Sequence, residues 1–229
     1  MKTLVHCCWL LWLSLGLLSA QDAPKVSCRF LFFDVMGGAA PTDMATVGAT
    51  GERTRCEVPA RVISAPVACL TKNGAIGFVF AGTGKPLASA TIPAGVKAAV
   101  LVFIPSQNAA QPWRVLVLED SPSAYPDGGA VVANVYDKDI RCVLGEHKIQ
   151  LQPSKTHGFT QPTTRDDFNM AEVMFQFQNG EAWRTASESR LRFLKGLRYL
   201  MIAYVDPASG RPRLFTCQDI PPVLALPAR

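Results

Sequence analysis

No stretch of this chain repeats apolar residues at helical spacing for long, which argues against an all-α or α/β architecture. Histidine is scarce: three in 229 residues, one of them His6 near the start. A Gly-x-Ser-x-Gly elbow is missing, so nothing marks the nucleophile turn of an α/β-hydrolase. Past the first eight residues the closest cysteines are Cys56 and Cys69, and no Cys-x-x-Cys occurs, which removes the usual zinc frameworks. EF-hand spacing is also lacking. No apolar run reaches the ~18–20 residues that a bilayer-spanning helix needs.

The first twenty residues are distinctive. Met1-Lys2 is followed by an apolar run from Leu4 to Leu18, then by the small pair Ser19-Ala20. That is the layout of a secretory signal peptide, so residues 1–20 are expected to be removed and the product to be secreted or periplasmic. An uncleaved anchor is the rival reading, but the run is short for a span. No membrane span is expected in the mature chain.

Trimming the leader leaves 209 residues with 22 basic and 18 acidic side chains, a net charge of +4. Such a chain buries roughly 70% of its unfolded surface and needs no metal or disulfide to fold. The mild charge and the absence of an aromatic–basic motif give no case for nucleic acid. Five cysteines remain, Cys28, Cys56, Cys69, Cys142 and Cys217. Export permits disulfides among them; burial as small hydrophobes is the other reading. No metal or cofactor is expected.

What the sequence does contain is alternation of period two. Val26, Cys28, Phe30 and Phe32 fall on one side of a strand, with Ser27, Arg29, Leu31 and Phe33 on the other. Ala98–Ile104 and Val115–Leu118 are apolar on both faces, as central strands covered from both sides would be. The turn between them makes a hairpin that is expected to join the two halves of the chain. Further strands are predicted at Ala130–Tyr136, Ile140–Leu144, His147–Leu151, Ala171–Phe177, Tyr199–Val205 and Arg213–Cys217. Asn179-Gly180 marks a hairpin, and a three-residue loop ending at a left-handed Gly180 is expected to set Trp183 opposite Phe175. The sum predicts an all-β, antiparallel β-sandwich, Ig-like or jelly-roll-like. One large domain is expected over residues 21–220, or two sub-sandwiches within it, followed by a frayed tail at 221–229. No internal repeat is visible.

Candidate chemistry is sparse. His147 falls in a predicted strand and His157 in a loop, neither beside a nucleophile. Asp166-Asp167, next to Arg165, sit in the long segment Pro153–Asn169. Long loops in compact domains are often functional, so His157, Arg165, Asp166 and Asp167 are the first binding candidates. If the chain were a carbohydrate-active or other hydrolytic enzyme, its site would lie there. A second candidate is a basic stripe in which Arg184, Glu188, Arg190 and Arg192 share one strand face. The arginines suit an anionic polysaccharide; a charged edge strand that blocks aggregation is the alternative. Trp113, Trp183, Tyr125 and Tyr136 read as core packing rather than a sugar platform, and Asn134 as a residue bonded to a neighbouring loop.

The segment Tyr125-Pro126-Asp127-Gly128-Gly129 to Asn134-Val135-Tyr136, with Gly145-Glu146-His147-Lys148 and Leu151-Gln152-Pro153, resembles uncharacterised exported proteins of environmental bacteria of the Verrucomicrobia type. A fainter similarity is to periplasmic β-sandwich modules such as the alginate acetylation accessory family. The likeness is carried by turns and strands, so it implies a fold and no activity. The expectation is therefore an exported, non-catalytic β-sandwich with a binding or assembly role, its partner an envelope protein or a polysaccharide.

Overall fold

The computed structural model describes residues 25–34, 39–48, 50–106, 108 and 111–221. The proposed leader and the tail beyond Pro221 lie outside the described residues. The first eight strands are β1 (Lys25–Phe32), β2 (Met44–Val47), β3 (Arg53–Cys56), β4 (Val67–Leu70), β5 (Ala75–Phe80), β6 (Pro86–Thr91), β7 (Ala98–Pro105) and β8 (Trp113–Glu119). The next eight are β9 (Ala130–Asn134), β10 (Ile140–Leu144), β11 (His147–Leu151), β12 (Thr156–Phe159), β13 (Met170–Asn179), β14 (Ala182–Arg192), β15 (Arg198–Val205) and β16 (Pro212–Asp219). No α-helix occurs among the described residues, and no helix is long and apolar enough to cross a membrane.

The chain is an all-β sandwich fold built from four sheets, with strand orders β4-β1-β7-β8, β3-β2-β5-β6, β12-β9-β15-β16 and β11-β10-β13-β14. Adding eight to each strand number of the first two sheets yields the other two. The second half therefore repeats the topology of the first, a duplication that is invisible in the sequence. Pairing is antiparallel except for β1 with β7 and β9 with β15, which are parallel in both halves. Even irregularities recur: the β5·β6 ladder slips after Phe78 and the β13·β14 ladder after Phe175, and both phenylalanines are fully buried. The 98–118 hairpin joins the two halves by packing and not by strand pairing, since Val100, Val102, Ile104 and Leu118 lie in an interior shared with the second half. Strands β7 and β8 both lie within the first sandwich, because β7 is held by β1.

Three apolar interiors result. Phe30, Phe32, Phe78, Leu101 and Phe103 fill the first sandwich. Ile140, Phe159, Val173, Phe175, Phe193 and Met201 fill the second. The third lies where the two sheets holding the parallel pairs meet face to face, Leu31, Phe33, Val100, Val102 and Ile104 against Val131, Ala133, Leu200, Ile202 and Tyr204. Phe33 crosses this seam edge-on to Tyr204 and Phe215, with ring centroids 5.2 Å apart in each case. Strands β1, β7, β9 and β15 are thus covered on both sides, which explains their two-faced apolar character.

The seam also buries charge. Arg29 on β1 holds Asp219 on β16 through a two-pronged pair, Nη1 at 3.0 Å from Oδ2 and Nη2 on Oδ1. Arg198 on β15 lies 2.6 Å from Asp219 Oδ2 and 2.8 Å from Asp120 Oδ1. Its guanidinium covers the Tyr125 ring at 3.8 Å and donates to the Tyr125 carbonyl at 3.1 Å. Two cations and two anions balance, as burial requires. The five cysteines are buried and unpaired by disulfides. Asn134 bonds its surroundings as expected, donating to the carbonyls of Lys138 at 2.9 Å and Leu151 at 3.0 Å.

Candidate functional site

Sheet β11-β10-β13-β14 is an outer layer: one face covers the second interior and the other is open. Residues paired across an antiparallel ladder point to the same side. Arg141 pairs with Gln150 on β11 and Gln176 on β13, and Gln176 pairs with Thr185 on β14. The open face therefore carries a polar row, Gln150–Arg141–Gln176–Thr185, running across all four strands. Rows Lys148–Val143–Met174–Glu188 and Gly145–Glu172–Arg190 follow. Two adjoining clefts of about 570 and 720 Å³ lie on this face and share Gly145 and Glu172.

Side-chain contacts fix the row in place. The Arg141 guanidinium lies 4.0 Å over the Trp183 ring, a cation–π stack that holds its planar donor fork. Gln150 Nε2 donates to Asp139 at 2.7 Å, and Gln176 Nε2 to Thr185 Oγ1 at 3.3 Å. Among the described residues Arg141 has no carboxylate within ion-pair distance. A surface whose polar groups are already ordered loses less entropy when a ligand arrives.

The loop after β12 borders the larger cleft and is strapped down. Glu146 accepts from Thr163 N at 2.7 Å and Thr164 N at 3.0 Å, and these N–H groups hold its carboxyl well below the usual range. Asp166 Oδ1 accepts from Met170 N at 2.8 Å and Phe168 N at 3.0 Å, and Oδ2 pairs with Arg190 at 3.0 Å. The Met170 N–H is the main cause of the lowered Asp166 pKa. Asn169 closes the turn in the left-handed region, at φ 60°. Phe168 is left 70% exposed at the rim.

Several expectations change here. The 153–169 segment is no continuous loop, because Thr156–Phe159 forms β12 on the edge of β9. Thr-His-Gly-Phe lacks apolar alternation, which hid it. His157 is a strand residue, edge-on to Phe159 at 5.0 Å, and sits on a different sheet from the Asp166 turn. Arg165 donates to the Phe193 carbonyl at 3.0 Å, and Asp167 is exposed. Asp166 is committed to its own turn. The basic stripe is broken: the slip after Phe175 pairs Arg184 with the inward residue Phe177, while Arg190 and Arg192 pair with Glu172 and Met170 on the open side. Arg184 therefore shares no face with them. The hairpin turns at Gly180-Glu181, so Trp183 faces Gln178, not Phe175, and is free to meet Arg141. Trp113, Tyr125 and Tyr136 do pack in the interiors, as expected.

Among the described residues no group of three His, Cys, Asp or Glu side chains is placed to hold a metal ion. Compared with models of known protein families and with curated proteins, the chain matches none.

Proposed function

We propose that this chain is an exported, non-catalytic β-sandwich protein that binds or assembles with other components of the cell envelope, and that the open face of β11-β10-β13-β14 is its recognition surface. The observation that supports this most is internal. The duplication supplies a second copy of the same outer face, on sheet β3-β2-β5-β6, with the same register. There the row equivalent to Gln150–Arg141–Gln176–Thr185 reads Arg55–Ala45–Val79–Pro86. Gly77 and Ser89 stand in place of Met174 and Glu188, and Ala75 and Thr91 in place of Glu172 and Arg190. On β2, β5 and β6 small or apolar residues suffice for the scaffold at these positions, while β3 carries Arg55 and Arg53 where β11 has Gln150 and Lys148. The large polar and charged side chains of the second copy, and strands of 10 and 11 residues where the first copy has 6 and 6, exceed what folding asks for.

The basic-strand reading gives way to this face, in which Arg190 and Arg192 remain and Arg184 drops out. The test compares Arg141→Ala and Trp183→Ala with Ser89→Ala, on the equivalent face of the first sandwich. Each is assayed for retention on immobilised alginate, soluble peptidoglycan and a neutral glucan, and for self-association. The first two are expected to lose at least one of these, and Ser89→Ala to keep them all. Equal behaviour of the three overturns the proposal, as does a glycan- or ester-hydrolysing activity abolished by His157→Ala. N-terminal sequencing of the protein from a fractionated cell tests the export step.

A further inference from the structure

The open face is bracketed by apolar groups. Past Met170–Arg192 the Phe193 N to Asn169 O bond, 2.9 Å, ends the β13·β14 pairing. Beyond it Phe168 stands in the Asp166–Asn169 turn and Leu194 just after Phe193, both at this end of the sheet. Phe168 and Leu194 are two of the four large hydrophobics exposed among the described residues, at 70% and 38%. At the other end stands Trp183, beside Gln178. Between them β13 presents Met170, Glu172, Met174 and Gln176, and β14 presents Arg192, Arg190, Glu188 and Thr185. Aromatics, methionine and arginine are the residues enriched in protein–protein contacts.

Resting on the reading of this face as the recognition surface, we infer that its occupant is a second copy of the chain, docked face to face about a two-fold axis. The axis lies in the sheet plane, across the strands, between the Met174–Glu188 and Glu172–Arg190 rows. This symmetry lays the Phe168–Leu194 end of one copy over the Trp183 end of the other. It sets Arg190 of each copy, which holds its own Asp166 at 3.0 Å, over Glu188 of its mate, so that contact forms twice, as an isologous interface requires. Arg192 meets Thr185 and Met170 meets Gln176, with no like charges opposed along β13 and β14. The six rows, about 34 Å with the Phe168–Leu194 end counted, belong to β13 and β14 alone; β10 and β11 add only the rows Arg141–Gln150 and Val143–Lys148, with strands about 4.8 Å apart. A patch of that extent, roughly half of the ~800 Å² per partner of a standard interface, suits a weak dimer. Packing sheet on sheet is also how the chain closes its own central seam.

Sedimentation equilibrium of the purified protein is the test, with near-UV circular dichroism confirming that each variant is folded. A dimer is expected at micromolar concentration. Phe168→Asp and Trp183→Asp should each weaken it at least tenfold, and Ser89→Asp should leave it unchanged. Glu188→Arg and Arg190→Glu should weaken it singly, and the charge-swapped double variant should recover it. A monomer at 100 µM, or a dimer indifferent to Phe168→Asp and Trp183→Asp, overturns the inference. If that monomer is retained on alginate and Trp183→Asp releases it, the recognition face stands and only the occupant is wrong. If no variant on this face alters any binding, both readings fail.

Discussion

Asp120 and Asp219 follow or end the corresponding strands β8 and β16 of the two sandwiches, and they share one guanidinium: Arg198 lies 2.8 Å from the first and 2.6 Å from the second. The arginines are not equivalent in this way. Ala98 holds the place in β7 that Arg198 holds in β15, by their matching registers. One half thus supplies an aspartate and Arg29, the other an aspartate and Arg198. Removing one charge from a buried pair leaves its partners uncompensated, which costs about 3–5 kcal/mol. Asp219→Asn should lower unfolding stability by that order in urea titration. Replacing all four charged residues with apolar ones of similar size should be much milder, and an equal loss would refute the electrostatic account.

The Asp166 turn should be acid-labile. Hydrogen bonds from Met170 and Phe168 and the Arg190 charge favour the ionised carboxylate and lower its pKa. Its contribution to stability is fully present above the unfolded aspartate value of about 3.9 and is lost as pH falls through the lower folded value. The amides of Phe168 and Met170, followed by NMR, should titrate below pH ~3.9. Asp166→Asn should abolish that titration. A midpoint at or above the ordinary value contradicts the geometry.

Two glycines admit no side chain. A Cβ on Gly129 would lie 2.0 Å from the Phe159 carbonyl oxygen, and one on Gly158 would lie 2.4 Å from that of Ala124. Both neighbours are backbone, so relief requires strands to move. Gly129→Ala and Gly158→Ala should each destabilise by roughly 1–3 kcal/mol, the usual range for overpacking. Gly180→Ala, where nothing lies within 4 Å, should be affected only through its positive φ. Thermal melts of the three variants should rank accordingly.

The thiols should be inert in the native protein. Burial pushes Cys142 up to about 12 and Cys217 up to about 11. Thiolate, the reactive form, is therefore scarce at neutral pH. Alkylation at pH 8 followed by mass spectrometry should leave Cys28, Cys56, Cys69, Cys142 and Cys217 unmodified until denaturant is added. Rapid native labelling of Cys142 or Cys217 would show that the seam or the second interior opens.

Alternation exposed most strands because one or both faces of each are buried. The two-sided apolar run of β7 marked a central strand, whereas that of Val115–Leu118 belongs to β8 at the edge of its sheet, apolar on both sides because one face meets the first interior and the other the seam. Pairing order was not legible, since parallel partners such as Ser27 and Ala98 lie far apart in the chain. The duplication was hidden because corresponding outer positions diverged: Ala45 against Arg141, Val79 against Gln176. The recognition face was missed for a related reason. Arg141, Gln150 and Gln176 are unremarked polar residues until the register aligns them, and the slip after Phe175, which removes Arg184 from the stripe, leaves no local mark.

Arg29 stands on the first strand and Asp219 on the last, 190 positions later. During synthesis the guanidinium has Asp120 of its own half within 3.6 Å, but its two-pronged partner emerges only with β16, the last of the sixteen strands, so the clasp across the central seam is completed late. Such distant closure is slow. A polypeptide cut short before β16 would remain ajar and open to proteases, which makes the ion cluster a built-in checkpoint on completeness.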